Sequence, residues 1–244
     1  MSQNKWSTVN AYLPNKFGLF KYKCFSNFKK LESIYIVFTF SIFLIFSSCK
    51  ETVPSNEIIP PILGRHQTKS IEGKDSIIYH QIPSFKMLNQ YGNTFGSSDL
   101  NEKIYLTEFF FTSCPSVCPK VAVQMEQIHQ DLQNISKFAL VSFTLDSKRD
   151  TPEKLFAYAE KKEVNHSNWY FLNGEMELTY RLAEEGYYAA AYNDKTEEKD
   201  NIMHDGVLVL VDTNGHIRGM YDGMDKSTVA KVKQDVLFLL KDQD

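Results

Sequence analysis

The sequence predicts an α/β domain in which helices flank a mixed β-sheet. Three observations lead to this class. Apolar β-prone runs alternate with amphipathic helical segments, an Asn-Gly pair separates two late strands, and the composition is globular. The chain has 244 residues, of which 43% are hydrophobic and 23% charged, with four Cys. This composition excludes disordered and collagen-like chains, and four Cys are too few for a disulfide scaffold.

The first half of the domain reads as strands that lead into two helices. Four β-prone segments are expected at residues 77–79, 85–88, 104–111 and 138–145. The last two are apolar enough to be buried on both faces of a sheet. Between them, residues 117–132 place apolar side chains at spacings of four, three and four, as an amphipathic helix does. Thr151 and Pro152 then mark a second helix, as its N-cap and first residue.

The second half adds a strand, a helix, an antiparallel hairpin and a final helix. These elements are expected at residues 169–172, 175–185, 207–211, 217–221 and 226–240. Gly186 closes the first helix, Asn214-Gly215 lies in the hairpin turn, and Asp225 or Ser227 caps the last helix. The order β-β-β-α-β-α-β-α-β-β-α requires parallel crossovers, with antiparallel strands at one side. A thioredoxin-like mixed sheet fits this order.

The N-terminal region predicts membrane targeting rather than a folded element. Residues 34–46 form an uncharged run of 13 residues shortly after Lys29 and Lys30. At about 1.5 Å per residue the run spans about 20 Å of a bilayer core of roughly 30 Å, which suits a secretory signal better than a stable span. Residues 46–49, Phe-Ser-Ser-Cys, resemble a bacterial lipoprotein box, in which the Cys is lipidated and becomes the new N-terminus.

These features predict three regions. We expect residues 1–48 to be a signal peptide and residues 49–76 to be a lipidated Cys49 followed by a flexible tether with Pro and Gly breakers. Residues 77–244 form the predicted folded domain, which is extracytoplasmic, on the periplasmic face of a bacterial membrane. The alternative is an uncleaved anchor that ends at Cys49 by chance, and it also places the domain outside the cytoplasm.

The charge distribution argues against nucleic-acid binding. The formal net charge of the chain is −3. The first 48 residues contain six Lys and one acid, so the remainder has 21 basic and 29 acidic residues, a net charge of −8. An acidic body without a basic patch lacks the electrostatic footprint of a nucleic-acid-binding protein.

Two Cys of the expected domain stand where a buried strand meets a helix. Cys114 and Cys118 lie in Phe-Thr-Ser-Cys-Pro-Ser-Val-Cys-Pro, residues 111–119. Open α/β sheets place their sites at such strand ends, and N–H groups at a helix start lower the pKa of a nearby thiol. If the helix includes Cys114, the i, i+4 spacing places both sulfurs on one face, where they could chelate a soft cation or form a disulfide. A purely structural disulfide is the simplest alternative.

Three sequence blocks together resemble one known family. The first is residues 111–119, and the second is Leu-Asp-Ser-Lys-Arg-Asp-Thr-Pro-Glu at residues 145–153. The third is Met-His-Asp-Gly-Val-Leu-Val-Leu-Val-Asp-Thr-Asn-Gly at residues 203–215. Their order and spacing resemble those of the SCO/SenC family, the copper chaperones of cytochrome c oxidase assembly. The likeness covers residues 83–240, nearly all of the expected domain.

The resemblance implies a copper site and a recipient. It assigns Cys114, Cys118 and His204 as copper ligands, in a thioredoxin-like fold with an inserted β-hairpin. It implies delivery of copper to the binuclear copper A site of cytochrome c oxidase, with other periplasmic copper or thiol carriers as further partners. The chain departs from the family at Ser116 and Ser147, where members often have Asp and Pro. Neither departure changes a ligand atom.

The donor set also suits copper on chemical grounds. Thiolates are soft ligands that select Cu(I), and an imidazole suits both Cu(I) and Cu(II). Three ligands are one fewer than a closed structural zinc site has, which leaves a position for a recipient's ligand. Asp146 and Asp150 could orient the ligands through hydrogen bonds, although turn and helix-cap roles explain these residues equally well. Met203, next to His204, is expected to be a buried core residue rather than a thioether ligand.

Two main hypotheses of function result. The first is a membrane-tethered copper chaperone, not an enzyme, with reduction of the partner's thiols as a second role. The alternative is an extracytoplasmic thiol–disulfide oxidoreductase with Cys114 and Cys118 as its redox pair. Thioredoxin-like enzymes typically carry a cis-proline loop before the strand expected at 207–211, and no Pro follows Pro152, which argues against the oxidoreductase. A structural adaptor with an inert disulfide is a third hypothesis.

Overall fold

Strands and helices follow one another largely as the apolar pattern predicts. The computed structural model describes residues 59–71, 74–162, 168–194 and 201–242. The strands are β1 (Gln67–Ile71), β2 (Lys74–Ile78), β3 (Lys86–Asn89), β4 (Thr94–Gly96), β5 (Ile104–Phe110), β6 (Phe138–Thr144), β7 (Trp169–Asn173), β8 (Ala191–Asp194), β9 (Asn201–His204), β10 (Val207–Val211) and β11 (Ile217–Asp222). The α-helices are α1 (Cys118–Leu132), α2 (Pro152–Lys161), α3 (Met176–Arg181) and α4 (Thr228–Lys241). A short 3-10 helix (Ser97–Leu100) follows β4, and a π-helical turn (Leu182–Gly186) continues α3.

Seven strands form one mixed sheet, in the order β11-β10-β5-β6-β7-β3-β4. β5, β6 and β7 are parallel, and α1 and α2 make the crossovers between them. β10 and β11 extend one edge in antiparallel pairing, and β3 and β4 extend the other. Every residue of β5 and β6 is buried, as the near-continuous apolar runs predict. The prediction of a mixed sheet flanked by helices is therefore confirmed.

The two faces of the sheet carry separate hydrophobic cores. Alternate residues of β5 point to opposite faces, so that Leu106 packs beneath α1 and Phe109 packs on the other side. The core on the α1 side also contains Met125 of α1, Leu155 of α2 and Val236 of α4. Consequently, the helix that starts at Cys118 is held firmly by buried side chains along its length.

A small hairpin of β8 and β9 is inserted before the edge strand β10. It pairs Ala191 with His204 in antiparallel register. Ala191 and Ile202 are buried in the core opposite α1, which fixes the hairpin to the sheet. The inserted hairpin implied by the family resemblance is therefore present, although the apolar pattern did not predict either strand.

The local signals for helix starts and turns are largely correct. The Thr151 side chain accepts a hydrogen bond from the N–H of Lys154, so Thr151 is the N-cap of α2 as predicted. β10 and β11 are joined by the predicted turn, where Gly215 has a positive φ of 76°. α4 begins at Thr228 with Ser227 at its N-cap, two residues later than predicted, and no side chain caps it.

Part of the predicted tether is folded. β1 and β2 form an exposed hairpin, with Gln67 opposite Ile78 and Ile71 opposite Lys74. Residues 67–71 were expected to be irregular, and the difference arises because their polar sequence becomes a strand only through pairing with β2. The folded part of the chain thus begins before residue 77.

The segment before β1 is fixed to the edge of the sheet. The carbonyl oxygen of Pro60 accepts hydrogen bonds from Nε (3.0 Å) and Nη2 (2.6 Å) of Arg218. The Leu63 N–H donates to the carbonyl oxygen of Ile217 at 2.8 Å. This strap, residues 59–66, therefore contacts β11 at its first two residues.

The predicted targeting region lies outside the described residues. The signal peptide at residues 1–48 and the lipidation site Cys49 both fall there. Within the described part of the chain, every helix is too short or too polar to cross a bilayer.

Candidate metal centre

The loop after β5 brings the two thiols together. Cys114 lies in this loop, where its N–H donates to the carbonyl oxygen of Phe111 at 3.2 Å. α1 begins at Cys118, four residues later than the i, i+4 argument assumed. The loop nevertheless turns back on the helix start, because the Cys118 N–H donates to Cys114 Sγ at 3.4 Å. Both thiols are free, Cys118 is buried, and Cys114 is partly exposed.

His204 reaches the thiols from a distant part of the chain. It is the last residue of β9, and its side chain points toward the start of α1. Its Nε2 atom lies 3.1 Å from Cys118 Sγ and 3.9 Å from Cys114 Sγ. One ligand atom from each of the three residues lies within 4.8 Å of the others, and no other such group of three is found in the described residues.

The environment separates the pKa values of the two thiols. Burial acts to raise the pKa of Cys114, but hydrogen bonds from the Cys118 thiol and from the N–H groups of Ser116, Val117 and Cys118 outweigh it and lower that pKa. Burial raises the pKa of Cys118 well above its usual range, and the hydrogen bond with Cys114 raises it further. Cys114 is therefore the thiol that becomes a thiolate first.

The imidazole is held in its neutral form. Burial lowers the pKa of His204, against a weaker opposing effect of the Asp205 carboxylate. The ring meets Phe111 edge-on, with centroids 5.9 Å apart. Its Nδ1 atom is buried without a hydrogen-bond partner, so the Nε2 atom that faces the thiols is the ring's polar contact in the described structure. A neutral imidazole is the form that binds metals.

Asp150 holds the loop that precedes Cys114. Its buried carboxylate accepts hydrogen bonds from the N–H (2.8 Å) and the hydroxyl of Thr112, and from the hydroxyl of Thr144 (2.7 Å). Lys154 Nζ lies 3.1 Å from the same carboxylate. Thr112 was not singled out in the sequence, and its position two residues before Cys114 is the signal that could have identified it. An orienting effect of Asp150 on the ligands stays a prediction, and its hydrogen bonds to Thr112 are the path by which it would act on Cys114.

Asp146 is turned toward its own loop. It accepts hydrogen bonds from the backbone N–H and from Nε of Arg149, and its N–H donates to the hydroxyl of Thr144. These contacts describe a turn role, and they include none of the three candidate ligands. An orienting role for Asp146 stays a prediction.

Met203 does not join the candidate ligands. Side chains alternate along a strand, so Met203 points to the face of β9 opposite that of His204. Met203 is 43% exposed and pairs in register with Tyr192. The expectation of a buried core Met203 is therefore wrong, because β9 belongs to a two-stranded hairpin with one face toward solvent.

The cluster can chelate one small ion. With metal–nitrogen and metal–sulfur bonds of about 2.0–2.3 Å, the values for zinc, ligand atoms lie at most about 4.6 Å apart. The observed limit of 4.8 Å needs only a small adjustment. Two sulfurs and one imidazole nitrogen are a donor set for a soft or borderline cation.

Comparison with known proteins agrees with this arrangement. The family model described as SCO1/SenC matches residues 77–237. A protein of Stutzerimonas stutzeri, named as a copper-binding protein, is 29% identical over 140 residues, which are 57% of this chain and 67% of the relative.

Solved structures with the same fold include two members of this group. The crystal structure of a SCO1/SenC family lipoprotein from Bacillus anthracis matches with a TM-score of 0.61 and 28% identity, over 66% of this chain and 95% of that one. BsSco, described as a member of the Sco family of cytochrome c oxidase assembly proteins with a disulfide switch, matches with a TM-score of 0.58 and 24% identity, over 66% of this chain and 93% of that one. The fold is therefore the thioredoxin-like fold of these proteins. Because the family model covers most of the described domain, the chain belongs to the SCO1/SenC family.

Proposed function

We propose that this protein is a copper chaperone, which binds one Cu(I) ion through Cys114, Cys118 and His204 and passes it to the copper A site of cytochrome c oxidase. The observation that carries this proposal is the convergence of the three donor atoms within 4.8 Å. The ligands come from two chain segments about 90 residues apart. Support also comes from the relative named as copper-binding and from the role of BsSco in oxidase assembly.

The donor set favours copper over a structural zinc ion. Two thiolates select a soft cation, and closed structural zinc sites have four protein ligands. Cys114 is partly exposed whereas Cys118 is buried, so the site is open on the side of Cys114. A ligand of the recipient can approach from that side while Cys118 and His204 still hold the ion.

A Cu(I) titration of the reduced full-length protein against a competing chelator tests the proposal. The wild-type protein should bind one Cu(I). His204→Ala removes the imidazole and should weaken the binding at least roughly tenfold, because even the loss of a residue that orients a metal ligand costs about that much. His66→Ala, which removes an exposed imidazole in the strap, is the control and should bind as wild type. Unchanged affinity in His204→Ala would contradict the three-ligand site.

Delivery needs a second measurement. The copper-loaded protein is mixed with the metal-free copper A domain of an oxidase, and the copper content of each is measured after separation. Transfer to the recipient supports the chaperone role. If the protein kept its copper although the recipient was competent to bind it, the result would indicate copper storage rather than delivery.

The opposed pKa shifts of the thiols favour one second candidate function. Cys114 has the lowered pKa of an attacking thiolate, and Cys118, with its raised pKa, stands close enough to resolve a mixed disulfide. A thiol–disulfide oxidoreductase needs both Cys but has no need of His204. This alternative would be favoured if His204→Ala still reduced disulfides and if the wild-type protein did not transfer copper.

A further inference from the structure

We infer that Gly206 and Gly223 are positioning residues that set the distance between His204 and the thiol-bearing helix. This inference rests on the proposed copper site. It adds two residues that no donor-atom argument would select, because neither has a side chain.

Gly206 lies against the start of α1. It follows His204 by two residues and has a positive φ of 71°. A Cβ atom at this position would lie 2.6 Å from Cγ1 of Val117 and 3.2 Å from Cγ2 of Val121. Val117 directly precedes Cys118, so the backbone that carries the imidazole touches the helix turn that carries the buried thiol.

Gly223 completes the same contact from a second loop. Its N–H donates to the carbonyl oxygen of Gly206 at 3.1 Å. A Cβ atom on Gly223 would lie 2.5 Å from that oxygen and 2.9 Å from Cγ1 of Val121. The two loops therefore stack on α1 with bare backbone at both points of contact.

The loop that carries His204 has little freedom to absorb a displacement. The Asp205 carboxylate accepts hydrogen bonds from the N–H groups of Ala190 (3.0 Å) and Val207 (3.1 Å), which hold the loop to both of its flanks. Carbon atoms pack at about 3.5–4.0 Å, so a methyl group on Gly206 would require a movement of about 1 Å. Metal–ligand distances hold to about 0.2 Å. A shift of that size takes the Nε2 atom out of bonding reach of an ion held by the thiols.

Alanine substitutions in the reduced full-length protein test this inference. Gly206→Ala should weaken Cu(I) binding at least roughly tenfold and should remove the nitrogen hyperfine coupling from the electron paramagnetic resonance spectrum of the Cu(II)-loaded protein. Gly215→Ala is the matched control. Gly215 also has a positive φ, of 76°, but its nearest neighbour would be the Ile82 nitrogen at 3.9 Å. Gly215→Ala should therefore show the same backbone strain as Gly206→Ala, but its affinity for Cu(I) and its nitrogen hyperfine coupling should be those of the wild type.

A rescue variant separates the contact from general destabilisation. Val117→Ala removes the atom nearest to the new methyl group, so Gly206→Ala combined with Val117→Ala should recover most of the affinity. Gly223→Ala should also weaken binding, but Val117→Ala should not rescue it, because the close atom there is the carbonyl oxygen of Gly206. Gly223 has no positive φ, so this variant carries the test if Gly206→Ala does not fold.

The outcomes distinguish this inference from the function on which it rests. A wild-type protein that binds no Cu(I) would overturn the proposed function and this inference together. A wild-type protein that binds one Cu(I), with equal affinity in Gly206→Ala and Gly223→Ala, would overturn the positioning role alone. A weakened Gly206→Ala that Val117→Ala fails to rescue would also overturn it.

Discussion

Glu108 is a carboxyl group enclosed by the apolar side chains beneath α1. It accepts a hydrogen bond from the hydroxyl of Ser142 at 2.8 Å, and that hydroxyl accepts one from Nε1 of Trp169 at 2.9 Å. Burial raises the pKa of Glu108 from 4.5 to about 7, whereas the hydrogen bond from Ser142 and the charge of Lys162 lower it and Glu126 raises it further. The folded protein therefore keeps a proton on Glu108 that the unfolded chain loses above pH 4.5.

This retained proton makes the stability of the protein depend on pH. Between about pH 4.5 and 7 the folded state binds one more proton than the unfolded state at Glu108, so its contribution to stability falls as the pH rises. Over this window the loss amounts to about 3 kcal/mol. Glu108→Gln keeps an acceptor for Ser142 without the ionisation, so its free energy of unfolding should fall less across this range than that of the wild type.

Urea unfolding at several pH values measures this difference. The exposed variant Glu184→Gln serves as the control and should keep the wild-type pH dependence. Equal slopes for Glu108→Gln and the wild type would show that Glu108 is ionised in the folded protein at the lower pH.

At the scale of elements, the Asp150 carboxylate joins three parts of the fold near the thiols. Asp150 binds Thr112 after β5, Thr144 at the end of β6 and Lys154 in the first turn of α2. Its backbone oxygen also accepts a hydrogen bond from the Asn173 side chain at 2.6 Å. Asp150 thus attaches the loop before Cys114 to β6 and α2.

Removal of this carboxylate should destabilise the protein. Asp150→Ala leaves the donors of Thr112 and of the buried Thr144 without this acceptor, at an expected cost of about 3 kcal/mol in the free energy of unfolding. Glu153→Ala removes an exposed carboxylate from the same helix turn and should cost much less than Asp150→Ala. Urea unfolding of both variants checks this. Equal costs would show that the contacts of Asp150 contribute little.

Strands and helices that are specified by their own residues could be predicted from the sequence. Strands that form only by pairing with a neighbouring strand could not. β5 and β6 have long apolar runs, and the Thr151–Pro152 pair gives the start of α2 directly. β1, β4, β8 and β9 have three to five residues each, and no apolar run or clear alternation marks them. Their backbone is extended because a neighbouring strand pairs with it, and such long-range pairing leaves no local pattern.

The candidate site shows the same division. The spacing of Cys114 and Cys118 at a strand end indicates a thiol site from the sequence alone. His204 was added by the family resemblance, since nothing local distinguishes it from other His residues. The contacts of Gly206 and Gly223 with distant segments leave no local pattern in the sequence, because they arise from tertiary packing.

At the scale of the whole molecule, we propose that the protein is anchored through a lipid on Cys49, after removal of residues 1–48, and that the folded domain, which begins before residue 77, is the copper-binding domain. The relative from Bacillus anthracis is named as a lipoprotein, which supports this proposal.

Labelling of expressing cells with a fatty acid, together with the size of the mature protein, tests the anchor. Cys49→Ser should abolish incorporation of labelled fatty acid and change the size of the mature protein. Cys24→Ser, in the segment expected to be removed, should behave as the wild type in both measurements. Fatty-acid labelling that persists in Cys49→Ser would contradict lipidation at this residue.

The strap and the candidate metal site lie at opposite ends of β11. It meets β11 at Ile217 and Arg218, whereas the other end of β11, Asp222, pairs with Val207 beside the loop that carries the candidate ligand His204. At about 3.4 Å per residue, these two ends of β11 lie about 17 Å apart. The segment that leads into the folded domain is therefore attached about one strand length away from the loop that carries the candidate ligand His204.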